Sequence, residues 1–417
     1  MKRQNAYFIY LLYSTVERLM RSMYWTAAVY FYVSVVGLNP FQLVIVGTTL
    51  MIVILLAEVP TGIVADTWSR RLSVIIGVAL MGAGFALDGA VGRFAATLAA
   101  QLVWGIGATF TSGALEAWIA DELHNENIEH VFLRGTQFSN VGSLIGIGGA
   151  ILLANVALNL PMIVAGATGI ALAAILAMFM PERHFKPHIE AGQTRLRMAG
   201  KTLAAGARLV RGSHTLLVIM AVTFFFGMAS ESFDRLWEVH FLNQVTLPAL
   251  AGFTPVAWFG MIDAGGLLLS ISAAEFVRRR FDTRHHRTLV RLLMAITALL
   301  VVGMAGFGLA RSFGVGLAAY WGAYLMRQLY GPLYTAWLNR HAESGVRATV
   351  LSLAGQVDAV GQIAGGPLFG LVATSFSTGA AIVAAGLALL PTMLLYRLTL
   401  RRERANEAEG AVVAAEG

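Results

Sequence analysis

The sequence predicts an all-α membrane protein, with twelve transmembrane helices arranged as two parallel six-helix repeats. Two observations predict it. Apolar stretches long enough to cross a bilayer, about 20 residues each, recur along nearly all of the 417-residue chain between short polar breaks. A set of short sequence words also recurs at an almost constant offset of 216 or 217 residues.

The composition fits a helical bundle in lipid. With 57% hydrophobic and 13% charged residues and a mean hydropathy of +0.69, the chain is too apolar for a soluble domain. Its 44 glycines let helices approach closely where lipid supplies no hydrophobic force between them. Cysteine is absent, which excludes disulfides and thiolate sites. The formal charge of +7 does not point to nucleic acid, because the basic residues cluster at the ends of apolar runs, where they anchor a membrane protein. Lys2 and Arg3 precede an apolar run, but Glu17, Arg18 and Arg21 interrupt it, so it reads as a retained span and not as a cleaved signal.

Spans are expected near 7–36, 42–63, 72–91, 94–119, 134–157 and 160–180, then near 215–245, 254–277, 288–310, 313–339, 347–374 and 377–397. The expected organisation is a bundle over 1–181, a cytoplasmic linker over 182–213, a second bundle over 214–398 and a disordered tail over 399–417. Within the linker, Arg197, Lys201, Arg208 and Arg211 share one helical face and Leu196, Leu203 and Val210 another, the pattern of an interfacial helix. A solvated basic loop is the competing reading. With the N-terminus inside, 24 of the 30 Lys and Arg fall on the inner side and only Arg93 and Arg311 on the outer. Both termini are therefore expected in the cytoplasm, and the chain in the cell membrane.

The repeat is carried by four pairs. Glu17-Arg18-Leu19 recurs as Asp234-Arg235-Leu236, Asp66-Thr67 with Arg71 as Asp282-Thr283 with Arg287, Trp104-Gly105 as Trp321-Gly322, and Gly148-Gly149 as Gly365-Gly366. Six spans per copy is an even number, so the copies run parallel, related by an axis along the membrane normal.

The loop after the second span reads Gly62-Ile63-Val64-Ala65-Asp66-Thr67-Trp68-Ser69-Arg70-Arg71. It resembles the signature loop of the major facilitator superfamily, with Thr67 in place of a basic residue and Ser69 in place of a second glycine. The resemblance implies that fold. It also implies a conformational latch in which Asp66 faces the Arg347 region at the start of span 11 and Arg70 reaches Asp121 at the end of span 4. Ordinary positive-inside anchoring is the plainer reading of Arg71. Span 4, through Gln101-Leu102-Val103-Trp104-Gly105-Ile106-Gly107-Ala108, resembles the family too, but Gln101 stands where many proton-driven members carry arginine. Span 5 offers Gly142, Gly146, Gly148 and Gly149, similar to the glycine-rich antiporter motif except that Ile147 replaces its proline. The run Ser112-Gly113-Ala114-Leu115-Glu116-Ala117-Trp118 resembles the branch of drug and metabolite exporters, as does Arg347-Ala348-Thr349 leading to Gly365-Gly366-Pro367.

Ionised side chains in the bilayer cost about 2.5–3.5 kcal/mol each and need a partner or a water path. Span 1 carries Glu17, Arg18 and Arg21, and span 7 carries Glu231, Asp234, Arg235 and Glu238. Glu17 and Arg21 are four apart and share a face, and the acids of span 7 line one side. Glu17 and Asp234 are the expected proton carriers, with Asp358 third and Arg18 and Arg235 as alternating counter-ions; an ion-pair network that only locks helices together is the alternative. Candidate cavity residues are Tyr24, Glu116, Trp237, Asp263, Arg327, Tyr330 and Tyr334, an aromatic set suited to an amphiphilic or cationic solute, although single aromatics more often pack or anchor. No phosphate loop and no mid-span histidine cluster is visible, so no cofactor or metal is expected. The expectation is a monomeric proton-coupled exporter of small amphiphilic compounds; a proton symporter importing a nutrient or peptide and, more remotely, a membrane-embedded enzyme or sensor are the alternatives.

Overall fold

The computed structural model describes residues 2–124, 127–185, 206–245, 247–249, 253–280, 285–342 and 347–402. Leu196, Arg197, Lys201 and Leu203 of the expected linker helix, the Asp282-Thr283 repeat pair and the tail beyond 402 lie outside the described residues. Residues 206–212 are helical.

Among the described residues every regular element is a helix. They are α1 (Lys2–Phe31), α2 (Pro40–Thr67), α3 (Arg70–Ala90), α4 (Phe94–Thr111), α5 (Ala114–Leu123), α6 (Ile128–Ala154) and α7 (Leu160–Phe179). The second series is α8 (His214–His240), α9 (Pro255–Arg280), α10 (His286–Leu309), α11 (Phe313–His341), α12 (Arg347–Ser375) and α13 (Thr378–Leu387). After a turn at Ala388 and Leu389 the last span continues as helix over 390–402, past the expected boundary at 398. Among the described residues ten helices, α4 and α5 counted as one, are long and apolar enough to cross a membrane. The two others of similar length, α1 with 30 residues and α11 with 29, are less apolar, and each carries some of the charges of the candidate site, Glu17, Arg18 and Arg21 on α1 and Arg327 on α11.

Local chemistry sets the helix ends. Asn39 and Gln42 form a reciprocal capping box at the start of α2, with Pro40 at the first helical position. Ser69 accepts from Leu72 N at 2.9 Å and caps α3, which gives the serine at the family's glycine position a structural task. Ser213 and Ser377 cap α8 and α13 in the same way. The fourth span breaks at Ser112-Gly113, where Gly113 takes φ +69, a left-handed conformation that glycine enters without steric cost. Both α1 and α8 end in a π-helical turn, Tyr32–Val36 and Phe241–Val245.

The chain forms two compact units, Met1–Ala199 with Ala249–Ala264, and Gly200–Pro248 with Gly265–Gly417. The start of α9 thus belongs with the first unit, where Val256 packs on Ala27 and Ala154. In the first unit α1 packs on α6, and α3 on α4 and α7; in the second α8 packs on α12, and α10 on α11 and α13. Span for span these are the same pairings, so the sequence repeat is also a structural one. The α1–α6 approach depends on glycine, since a Cβ on Gly142 would lie 2.1 Å from the Thr15 carbonyl oxygen and one on Gly146 2.3 Å from that of Leu19. Gly361 and Gly365 do the same against Phe224 and Met228 of α8. Close helix packing therefore accounts for Gly142 and Gly146, without a transport-direction motif.

Candidate functional site

Each unit contains a cavity, and the two are built alike. In the first unit a cavity of about 320 Å³ lies between α1, the α4–α5 break and α6, with Tyr13, Glu17, Arg18, Glu116 and Asn140 among its lining. In the second a cavity of about 330 Å³ lies between α8, α11 and α12. Its wall includes Thr223, Phe226, Arg327, Tyr330, Tyr334 and Asp358. First, fourth and fifth spans supply the walls in both cases.

The walls differ in chemistry. The first cavity is mainly polar, with two acids and an arginine. In the second, the Phe226 and Tyr330 rings stack with centroids 3.6 Å apart, and Tyr330 stacks on Tyr334 at 5.5 Å. The Tyr334 hydroxyl hydrogen-bonds to that of Thr223. Asp358 accepts from Gln362 Nε2 at 2.7 Å.

The charge pairing differs from the expected one. Glu17 pairs with Arg21 at 3.3 Å and Glu231 with Arg235 at 3.0 Å, each pair one helical turn apart. Asp234 pairs with Arg327 of α11, whose Nη2 lies 2.8 Å from Oδ2 while Nη1 donates to Oδ1. These contacts do not join Arg18 to Glu17 or Arg235 to Asp234, because adjacent helical residues point about 100° apart and neighbours on one face lie at i, i+3 and i, i+4. Glu231, Arg235 and Glu238 are buried whereas Asp234 is exposed, so the acids of α8 are divided between its interior and its open side.

Two of the aromatic residues expected in a cavity line neither of these two cavities. Trp237 stacks on Tyr320 at 4.6 Å in a cluster with Phe241, and it lines neither cavity. Tyr24 is fully buried, stacked on Phe85 at 4.1 Å and hydrogen-bonded to Asp88. Asp263 sits half-buried on α9 and is absent from both cavity walls.

At the far end of the first unit, Arg70 donates to the Asp121 carboxylate and, at 3.0 Å, to the Ala117 carbonyl, with Asp66 at 3.9 Å. Arg71 donates its backbone N–H to Glu182 at 2.9 Å and Nη2 to the Ala177 carbonyl at 2.5 Å. Ser69 donates to the same Glu182 at 2.6 Å. Glu122 accepts from the backbone N–H of Arg183 at 2.6 Å, and Trp118 donates to the Pro181 carbonyl at 2.6 Å. Asp66 in the first unit and Arg347 in the second are both exposed.

Sequence reasoning missed Glu122 and Glu182, whose partners are backbone groups distant in the chain. It also missed Asp88, an isolated acid in an apolar span, and read His240 only as a helix-end residue. His240 is fully buried, with Nε2 donating to the Phe307 carbonyl at 2.8 Å. A lone acid such as Asp88 inside a 21-residue apolar helix was the available signal.

Membrane-length helices in two copies, with a solute-sized cavity on the same three spans of each copy, define a polytopic membrane transporter. The model of the Major Facilitator Superfamily matches residues 10–357, and the chain belongs to that superfamily. It is similar to the uncharacterized MFS-type transporter YxaM of Bacillus subtilis (strain 168), at 22% identity over 363 residues, 86% of this chain and 87% of that one. Among solved structures, the nucleoside transporter NupG aligns with a TM-score of 0.78 at 12% identity, covering 94% of this chain and 99% of that one. A POT family transporter in complex with a thioalcohol conjugated peptide aligns at 0.75 and 13% identity, covering 96% and 99%. A bacterial homolog of the human lysosomal transporter Spinster aligns at 0.73 and 15% identity, covering 96% and 97%. At these identities the likeness is one of fold.

Proposed function

We propose that this transporter is a monomer of the cell membrane, with both termini in the cytoplasm, that exports small amphiphilic or cationic organic compounds in exchange for protons. The observation that carries the solute class is the second cavity: a stacked aromatic wall of Phe226, Tyr330 and Tyr334 with the Asp358 carboxylate at its edge. Aromatic faces attract cations and cover apolar bodies, and one carboxylate selects positive charge. Exchange of protons is assigned to the acids of the paired clusters, Glu17 and Asp234 first, because carboxylates held by arginine can trade that partner for a proton. The superfamily's alternating access then moves the cavity between the two sides of the membrane.

The resemblance of the span 4 run to exporters favours outward transport. Reconstituted vesicles with an imposed proton gradient and ethidium as probe test the reading. Ethidium moving against the proton flow supports it; movement with the protons makes the chain a symporter, and no gradient-driven movement of any organic cation defeats it.

A further inference from the structure

Asp88 lies two residues before the end of α3, at the end opposite Arg70, and is fully buried. Two phenols hydrogen-bond to it, Tyr24 of α1 and Tyr32 of the π-helical turn that follows. Tyr24 donates to Oδ2 at 2.5 Å, Tyr32 donates to the same Oδ2, and the two phenol oxygens lie 2.6 Å apart. Three oxygens thus form a triangle in which every side is a hydrogen-bond contact.

Three such contacts need three protons. Two phenols supply two. If Asp88 were ionised, both phenol protons would be directed to Oδ2, and the two phenol oxygens would face each other with lone pairs only. A third proton on Oδ2 closes the ring: the carboxyl donates to one phenol, that phenol to the other, and the second back to the carboxyl. The surroundings agree with a neutral acid. Trp104 Nε1–H donates to Gln101 Oε1 at 2.7 Å, which turns the Gln101 amide nitrogen toward the phenol oxygens at 3.3 and 3.5 Å. On α4 Thr97 is a further neutral hydrogen-bonding neighbour of the carboxyl, and on the α7 side Asn159 bonds the adjacent Gly89 carbonyl at 3.1 Å. Arg21, the next cation along α1, stands over the Trp104 ring at 5.7 Å and pairs with Glu17, not Asp88. A bare carboxylate walled in by these groups would have neutral donors, and not a cation, to offset the cost of a buried charge.

We propose that Asp88 is a proton-binding site, holding an exchangeable proton in a ring with Tyr24 and Tyr32. When that proton passes to water, the carboxylate keeps the negative charge and the ring loses one of its three hydrogen bonds. Tyr32 begins the π-helical turn Tyr32–Val36, so protonation of Asp88 is tied to the hold of α3 on the end of α1. Its use in transport rests on the proton-coupled reading above, whereas the bound proton rests on the ring alone.

Infrared spectroscopy of the purified protein in lipid tests the two parts separately. In the wild type at neutral pH the carbonyl stretch of a protonated carboxylic acid is expected, vanishing as the pH is raised and missing throughout from Asp88→Asn. Identical spectra for wild type and Asp88→Asn overturn the proposal, and so does a band that alkali never removes. Should Asp88→Asn fail to fold, Tyr32→Phe takes its place: the band should change frequency because its carboxyl has lost a ring neighbour, and an unmoved band overturns the ring. In vesicles, Asp88→Asn should keep counterflow within about twofold of wild type while gradient-driven accumulation falls about tenfold or more. Equal loss of both makes Asp88 a structural staple. If the wild type shows no proton-driven flux, the coupled reading fails while the infrared result still decides whether Asp88 binds a proton.

Discussion

Arg327 of α11 holds Asp234 of α8 through both guanidinium nitrogens, so the cation of the second cavity is committed to an acid on a neighbouring helix. Two-point contacts of this kind are directional as well as strong. Arg327 also stands over the Phe233 ring at 5.2 Å. Asp234→Asn should lower the initial rate of ethidium flux by about tenfold, leaving an arginine without its counter-charge in a largely apolar wall. Exchanging the two residues, Asp234→Arg with Arg327→Asp, should recover part of the rate. A double variant no better than the product of the single ones would mean that the pair does not act as a unit.

Asp358 offers a test of solute charge. Asp358→Asn should raise the half-saturating concentration of a monocationic solute about tenfold, equivalent to ~1.4 kcal/mol. A neutral analogue of the same shape should change by about twofold or less. Competition assays with the two solutes measure both, and parallel shifts would remove charge selection from Asp358.

The Asp66 and Arg70 pair separates stability from transport. Asp66 is exposed and 3.9 Å from Arg70, so Asp66→Asn should cost less than about 1 kcal/mol and leave Tm nearly unchanged. As a latch residue it should nevertheless slow flux about tenfold, which thermal melting and vesicle transport together would show. Arg70→Ala removes bonds to both Asp121 and Ala117 and should lower Tm as well. Wild-type flux in Asp66→Asn would leave the loop with an anchoring role alone.

Glycine packing makes a prediction with its own control. Gly142→Ala pushes a methyl group onto the Thr15 carbonyl, whereas the same change at Gly148 meets nothing within 4 Å. The first should destabilise the fold by about 1–3 kcal/mol and the second should be silent. Monodispersity and melting temperature of the two variants in detergent would check this, and equal behaviour would contradict the close α1–α6 approach.

The fold was legible because its signals are extended. Apolar length and a repeat at one offset survive errors at single residues, and the equivalent helix pairings of the two units follow from that repeat. The Arg70–Asp121 contact was also anticipated, because the resemblance of the loop carried a spatial neighbour with it. The site was less legible. Charged residues announce themselves in apolar spans, but their partners are set by helix rotation and by which helix packs alongside. That is why Asp234 turned out to pair with Arg327 and not Arg235. Tyr24 and Trp237 were aromatic and near the charges in sequence, yet their rings turn into packed interiors. Glu182 and Glu122 lay in segments where an acid is unremarkable until its backbone partners are seen.

The break at Gly113 makes the fourth span two rods with a joint between them. The longer rod, Phe94–Thr111, is moored through Gln101 to the phenols beside Asp88; the shorter, Ala114–Leu123, is moored through Asp121, Trp118 and Glu122 to the opposite end. Rotation at the glycine, which has the backbone freedom for it, is expected to absorb a disturbance at either mooring before it reaches the other. Damage at the two ends should therefore combine additively, although both moorings sit on one continuous stretch of chain.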